Sequence, residues 1–309
     1  METIGKPRRR AKAAIVSPAV ASAGVSEALI GGEEPEVPPS SERSGVPEQL
    51  AESPGATRPA TVSRRALVAE VWLVLALSLG ADAVYALLAL WNSLTVGVPL
   101  RAQSAVINSS AGANSSLLNL AYALVGIVVA LVPVVLVVYL LFRSGESASS
   151  IGLDTARLRR EIVWGTSLAA GVGGAGLALY IGAYHAGLSV NVVPTNLPAV
   201  WWRIPVLVLA AVQNGVLEEV VVCGYLLHRL GQLQWGEGRS LGTSAVIRGT
   251  YHLYQGFGGF LGNAVMGLLF GRLYQREGRL VRLILAHSLI DTGAFVGYVL
   301  LRGHVPGIS

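Results

Sequence analysis

Residues 204–230 read IPVLVLAAVQNGVLEEVVVCGYLLHRL, a run apolar enough to cross a bilayer that nevertheless carries Glu218 and Glu219 side by side. A charged side chain at the centre of a membrane helix costs about 2.5 to 3.5 kcal/mol on insertion scales and more in simulations. Two adjacent carboxylates therefore point to a use, since acids inside membrane spans mark functional sites by default. The same C-terminal third of the chain places Tyr251-His252 in one apolar segment and His287-Ser-Leu-Ile-Asp291 in another. Acids and imidazoles thus recur where a spanning protein should be driest, which is the pattern of an intramembrane active site.

Composition sets the class. Of 309 residues, 13% are charged and 52% hydrophobic, whereas a soluble domain is charged at roughly 25% of positions. The expected fold is all-α, a polytopic transmembrane helix bundle in a cell membrane. A net charge of +5 is no nucleic-acid signal here, because the arginines lie in short loops between apolar runs, where they set topology. Cys223 is the one cysteine, so no intrachain disulfide can form, and no histidine pairs with a cysteine at zinc-finger spacing.

Outward from the central run, three regions are expected. Residues 1–63 are rich in Pro, Ser, Ala, Gly and Glu and read as a disordered tail, unable to bury enough apolar surface to offset chain entropy. Within it AAIVSPAVASA at 13–23 follows a basic start like a signal-peptide core, but it is weak and interrupted by Pro18. Residues 64–149 hold the first transmembrane helices and 150–303 the core with the acids and histidines. Seven spans are expected, at 66–92, 117–142, 162–187, 204–228, 241–255, 257–275 and 280–301. The fifth and sixth also read as a tight helical hairpin, and an eighth span arises if the first is a bent pair. Connection 144–161 reads either as an interfacial helix capped at Asp154 or as a solvated loop. Arginines crowd the loops that would share a side with the N-terminal tail, so the positive-inside rule expects a cytoplasmic N-terminus.

Depth brings the polar residues together. Counted from the cytoplasmic span ends at ~1.5 Å per residue, Glu218 lies about 15 Å deep, His252, Asn263 and Asp291 about 18 Å, and His287 about 12 Å. His287 and Asp291 are four apart and share a helix face, as do Arg248 and His252. Glu218 and Glu219 diverge by about 100° around their helix, so one is expected to face the reaction centre and the other to make a structural bond to a neighbouring helix. A carboxylate beside a neutral imidazole can deprotonate water, and a second imidazole with an acid can stabilise an oxyanion, which is the equipment of hydrolysis. Arg248 and Asn263 would complete the electrostatics of the cavity. Two histidines and a glutamate also form a zinc ligand set, so a divalent metal such as zinc is a candidate cofactor, although no His-Glu-x-x-His helix is present. Taken singly, the same residues also read as structure: the glutamates as glue between helices, the histidines as packed side chains, Arg248 as an ion-pair partner.

At these residues the sequence resembles the CAAX protease and bacteriocin-processing (CPBP, or Abi) family of intramembrane endopeptidases, which includes the type II CAAX prenyl proteases. That family shows Glu-Glu-x-x-x-Arg, then Phe-x-x-x-His, then His-x-x-x-Asn or Asp, on separate membrane helices. Here Glu218-Glu219-Val-Val-Val-Cys223, Arg248-Gly-Thr-Tyr-His252 and His287-Ser-Leu-Ile-Asp291 stand in that order. Cys223 replaces the family arginine and Arg248 the family aromatic, which suggests that the guanidinium has moved from the glutamates' helix to that of His252. The resemblance implies Glu218 as general base with His252, Glu219 as supporting carboxylate, and His287 with Asp291 as the oxyanion-stabilising pair. It implies a peptide or protein substrate in the membrane and membrane lipids as surroundings, with either a glutamate or a metal mechanism. It assigns no prenylated substrate. Other readings are a non-catalytic bacteriocin-immunity or interaction protein and an ion-coupled transporter using the same residues as a relay.

Overall fold

The computed structural model describes residues 14–16 and 62–302. The rest of the expected tail, most of its signal-like stretch, and His304 lie outside the described residues. Helix α1 (Arg64–Ala76) starts where the Ser63 hydroxyl accepts from the Ala66 amide at 3.2 Å. It gives way to α2 (Leu79–Thr95) at a 50° bend. There the Ser78 hydroxyl donates back to the Val74 carbonyl at 2.6 Å, a bond that competes with the backbone ladder and bends helices. Helices α3 (Ser116–Ala130) and α4 (Val132–Arg143) form one long stretch. Pro133 sits in the first turn of α4, where a missing N–H is tolerated. Helix α5 (Leu158–His185) follows. Helix α6 (Arg203–Glu218) then passes through a π-helical stretch, Glu219–Tyr225, into α7 (Leu226–Gln232). Helices α8 (Glu237–Thr250), α9 (Phe257–Glu277) and α10 (Val281–Leu301) close the chain.

Four of these stretches are long and apolar enough to cross a membrane: Ser116–Arg143, Leu158–His185, Arg203–Gln232 and Val281–Leu301, with α1 and α2 a fifth if the bent pair counts as one. The expected fifth and sixth spans fall short for different reasons. Helix α8 has 14 residues, about 21 Å at 1.5 Å per residue, against a hydrocarbon core of about 30 Å. Helix α9 has 21 residues, but five glycines, Asn263 and Arg272 dilute its apolar run. The two pack as the hairpin the sequence allowed, turned at Gly256, whose φ of +92° suits only glycine. Connection 144–157 is neither a separate helix nor a free loop. After one 3-10 turn at Ala148–Ile151, Asp154 accepts from the Ala156 amide at 3.1 Å and holds Arg279 at 2.7 Å.

The central helix is Arg203–Gln232, which carries the two glutamates. In Arg203–Gln232, 67% of the most apolar window is buried inside the protein, against 6% in α5, so α5 faces lipid and the glutamates' helix is the axis. Trp72, Trp91 and Phe142 point outward, as side chains facing acyl chains do. At one end Arg229, fully buried, is held by Glu146 at 2.5 Å and Ser144 at 2.8 Å, with Glu70 at 3.8 Å. His228 and Gln232 also bind Glu146. Glu161, also fully buried, joins α5 to Arg282 at 2.7 Å and Arg279 at 3.1 Å.

A small sheet was not expected. Strands β1 (Ala14–Val16), β2 (Ser104–Asn108) and β3 (Asn191–Thr195) are parallel in that order, with Ala105 opposite both Ile15 and Val192. Each is five residues or fewer and pairs far along the chain, so no local pattern announces it. The pairing of β1 with β2 puts residues 14–16 beside loops that the arginine count assigns to the opposite side, so the expected cytoplasmic N-terminus finds no support here.

Candidate active site

Three elements packed on the central helix carry the expected residues. The π-helical stretch starts at Glu219, so the extra residue per turn falls where the two carboxylates must be aimed, and such bulges often accompany functional sites. Glu219 is fully buried. Its Oε1 bonds to an Arg248 guanidinium nitrogen and to His287 Nδ1, the latter at 2.8 Å, and its Oε2 accepts from Arg248 at 3.3 Å. Glu218 stands on the more open side. Its Oε2 accepts from the Tyr251 hydroxyl at 2.7 Å and from Arg248 at 3.4 Å. The adjacent glutamates therefore do diverge, yet one guanidinium reaches both.

Arg248 lies among these carboxylates. It is fully buried, within 3.0 Å of His287 Nδ1, and its guanidinium lies over the Phe270 ring at 5.5 Å. Gly267 makes room for its stem: a Cβ there would lie 3.1 Å from Arg248 Cδ. Cys223, at the family's arginine position, is fully buried beside Glu219 and Arg248. His252 lies just past the end of α8, and its Nδ1 meets the Arg248 carbonyl at 3.0 Å. A carbonyl can only accept, so Nδ1 carries the hydrogen and Nε2 is left as an acceptor. The spacing of four that suggested a shared face thus produces a cap on a free helix-end carbonyl instead. His252 and Glu218 are electrostatic neighbours with no direct hydrogen bond between them among the described residues.

On α10, His287 Nε2 faces Asp291 Oδ1 at 3.8 Å, and Asp291 Oδ2 accepts from the Asn214 amide at 3.1 Å. Close packing at Gly215, where a Cβ would meet the Ser288 hydroxyl at 2.5 Å, lets α6 and α10 approach for this bond. Glu218, Glu219, Arg248, His287 and Asp291 form one connected group, with His252 at its edge. Asn263 does not join it: its amide donates to the Gly259 carbonyl at 3.0 Å within α9. Three contributors were missed by sequence reasoning. Tyr251 and Asn214 were passed over because neither ionises near neutral pH, although each stands next to a named residue or in the same apolar run. Asp82, on α2, is an electrostatic neighbour of Glu218 and stands in a segment whose sequence carries no partner for it. The other acid of that bent pair, Glu70, instead pairs with Arg143 at 3.4 Å.

The donor set does not fit a divalent metal. Among the described residues no three His, Cys, Asp or Glu side chains converge to hold an ion. The guanidinium supplies the reason: it lies on both glutamates and beside His287, where a cation would otherwise sit. In the comparison with protein families, residues 200–293 match the family described as type II CAAX prenyl endopeptidase Rce1-like. The matched region contains all three motifs, and that family is one of endopeptidases. No curated protein and no solved structure matches the chain.

Proposed function

We propose that the protein is an intramembrane endopeptidase that hydrolyses a peptide bond with a water activated by Glu218 and His252. The observation that carries this reading is the convergence of Glu218, Glu219, Arg248 and His287 from three helices on one buried group, inside a segment matching an endopeptidase family. A structural ion pair needs one acid and one base. This group gathers more, and leaves its least buried carboxylate next to an imidazole with a free nitrogen.

The roles follow from what each atom is already bound to. Glu219 has both oxygens occupied and serves as the fixed counter-charge that holds Arg248 and His287 in place. Glu218 keeps capacity on Oε1, which carries no hydrogen bond among the described residues, so that oxygen is the one to accept a proton from water. His252 Nε2 orients the same water. Attack on the scissile carbonyl forms a tetrahedral oxyanion, the proton passes from Glu218 to the leaving amine, and the C–N bond breaks. His287, oriented by Asp291, supplies the N–H that stabilises the oxyanion, with the second hydrogen of the Asn214 amide nearby. Arg248 offsets the negative charge throughout. The substrate is a peptide segment reaching the site from lipid and the reaction runs within the bilayer, a reading that the surrounding apolar helices support.

The reading is tested with purified full-length protein and a fluorogenic peptide library. Cleavage that disappears in Glu218→Ala and His252→Ala, both still folded, supports it. Cleavage that persists in both removes Glu218 and His252 from the chemistry.

A further inference from the structure

Arg157, Arg159 and Arg160 stand within four residues at the start of α5, all of them exposed. The acids of that stretch are committed elsewhere: Asp154 to Arg279 at 2.7 Å, and Glu161 to Arg282 at 2.7 Å. None of the three guanidinium groups has a hydrogen bond, ion pair or ring contact among the described residues, whereas those of Arg143, Arg229, Arg248, Arg272, Arg279 and Arg282 each hold a carboxylate. The three line a shallow groove with Leu158, Val163 and Trp164. Val163 is 60% and Trp164 54% exposed, so the groove is cationic at one end and apolar at the other.

That pairing fits one kind of occupant. Guanidinium forks match phosphate oxygens, and a basic cluster at the end of a span lies at headgroup level. Tryptophan prefers the same level, and α5 is the span with least protein cover. We propose that this groove binds an anionic phospholipid, its phosphate held by Arg157, Arg159 and Arg160 and its acyl chain laid along Val163 and Trp164. A soluble anion would use the arginines and leave the apolar end without a role. A peptide partner would need acids spaced to meet three arginines on one turn.

The test uses full-length protein in nanodiscs of phosphatidylcholine doped with phosphatidylglycerol, with the lipids that stay bound identified by mass spectrometry. The expected result is enrichment of phosphatidylglycerol over its share of the bilayer by roughly ten-fold. It should be lost in the triple variant Arg157→Gln, Arg159→Gln, Arg160→Gln and only partly kept in the matching triple Arg→Lys variant, which retains the charge without the fork. Arg64→Gln with Arg65→Gln, at the start of another helix, should leave it unchanged. Equal enrichment in the glutamine triple variant overturns the proposal. So does displacement of the lipid by inorganic phosphate, which would make the groove a site for a free anion. Thermal unfolding of each variant guards against loss of fold, and a triple variant that unfolds is replaced by Trp164→Ala, for which the same loss is expected and full retention is contrary.

Discussion

Removing the Arg248 guanidinium would leave Glu219, Glu218 and His287 facing one another without a counter-charge in a place closed to solvent. Breaking a buried ion pair by deleting one partner costs about 3 to 5 kcal/mol, so Arg248→Met should lower the thermal midpoint sharply and abolish cleavage. The replacement of one cation by another makes a finer prediction. Arg248→Phe alone should fail, whereas Arg248→Phe combined with Cys223→Arg, the family's own arrangement, should recover folded protein in the same thermal assay. A single Arg248→Phe variant that folds and cleaves normally contradicts the relocation. Tyr251→Phe removes the one neutral donor to Glu218 among the described residues, a bond to a carboxylate worth about 1.5 kcal/mol. It should reduce kcat roughly ten-fold with KM little changed, as expected when a general base is aimed less well. At this scale the ionisable residues were legible because charge is costly in lipid. Tyr251 and Asn214 were not, because an uncharged side chain in an apolar run carries no such penalty to draw notice.

Between elements, two contacts decide whether the site assembles. Gly215 lets α6 and α10 approach, and a larger side chain there meets Ser288. Overpacking of this kind costs about 1 to 3 kcal/mol, and Gly215→Leu should separate Asn214 from Asp291 and suppress cleavage before it unfolds the protein. The Glu146 network clamps the connection after α4 onto α7. Burial alone would raise the Glu146 carboxyl, but its bonds to His228, Arg229 and Gln232 more than offset this and hold it below the usual carboxylate range. A depressed carboxyl contributes stability that is present above its unfolded value and is lost as pH falls through the folded one. Thermal midpoints should therefore fall on acidification below about pH 4.5, and by less in Glu146→Gln; equal falls in both would contradict this assignment. The helical runs were legible from hydropathy, yet the break at Glu219–Tyr225 was not. A π turn changes no residue type, and only the neighbours that stabilise it reveal it.

For the molecule as a whole, composition alone indicated helices suited to a membrane, and the structure agrees for four stretches, or five with the bent pair. What escaped was non-local, the strands paired across the intervening helices; the hairpin of α8 and α9 was one of the two readings the sequence allowed. Orientation is the open expectation at this scale. Cys223 is buried and gives no background, so Arg159→Cys and Ala111→Cys can be labelled separately with a membrane-impermeant maleimide on intact cells. The arginine distribution predicts labelling of residue 111 and protection of residue 159, and the reverse pattern would place the basic loops outside. The central claim is that Glu218 and its neighbours activate water inside the lipid-spanning body. Cleavage of a membrane-anchored peptide by the full-length protein in liposomes, run in heavy-oxygen water, tests it most directly. Heavy oxygen is expected in the new C-terminal carboxylate with the wild type, and no product with folded Glu218→Gln. Labelled product formed at an undiminished rate by Glu218→Gln would contradict it.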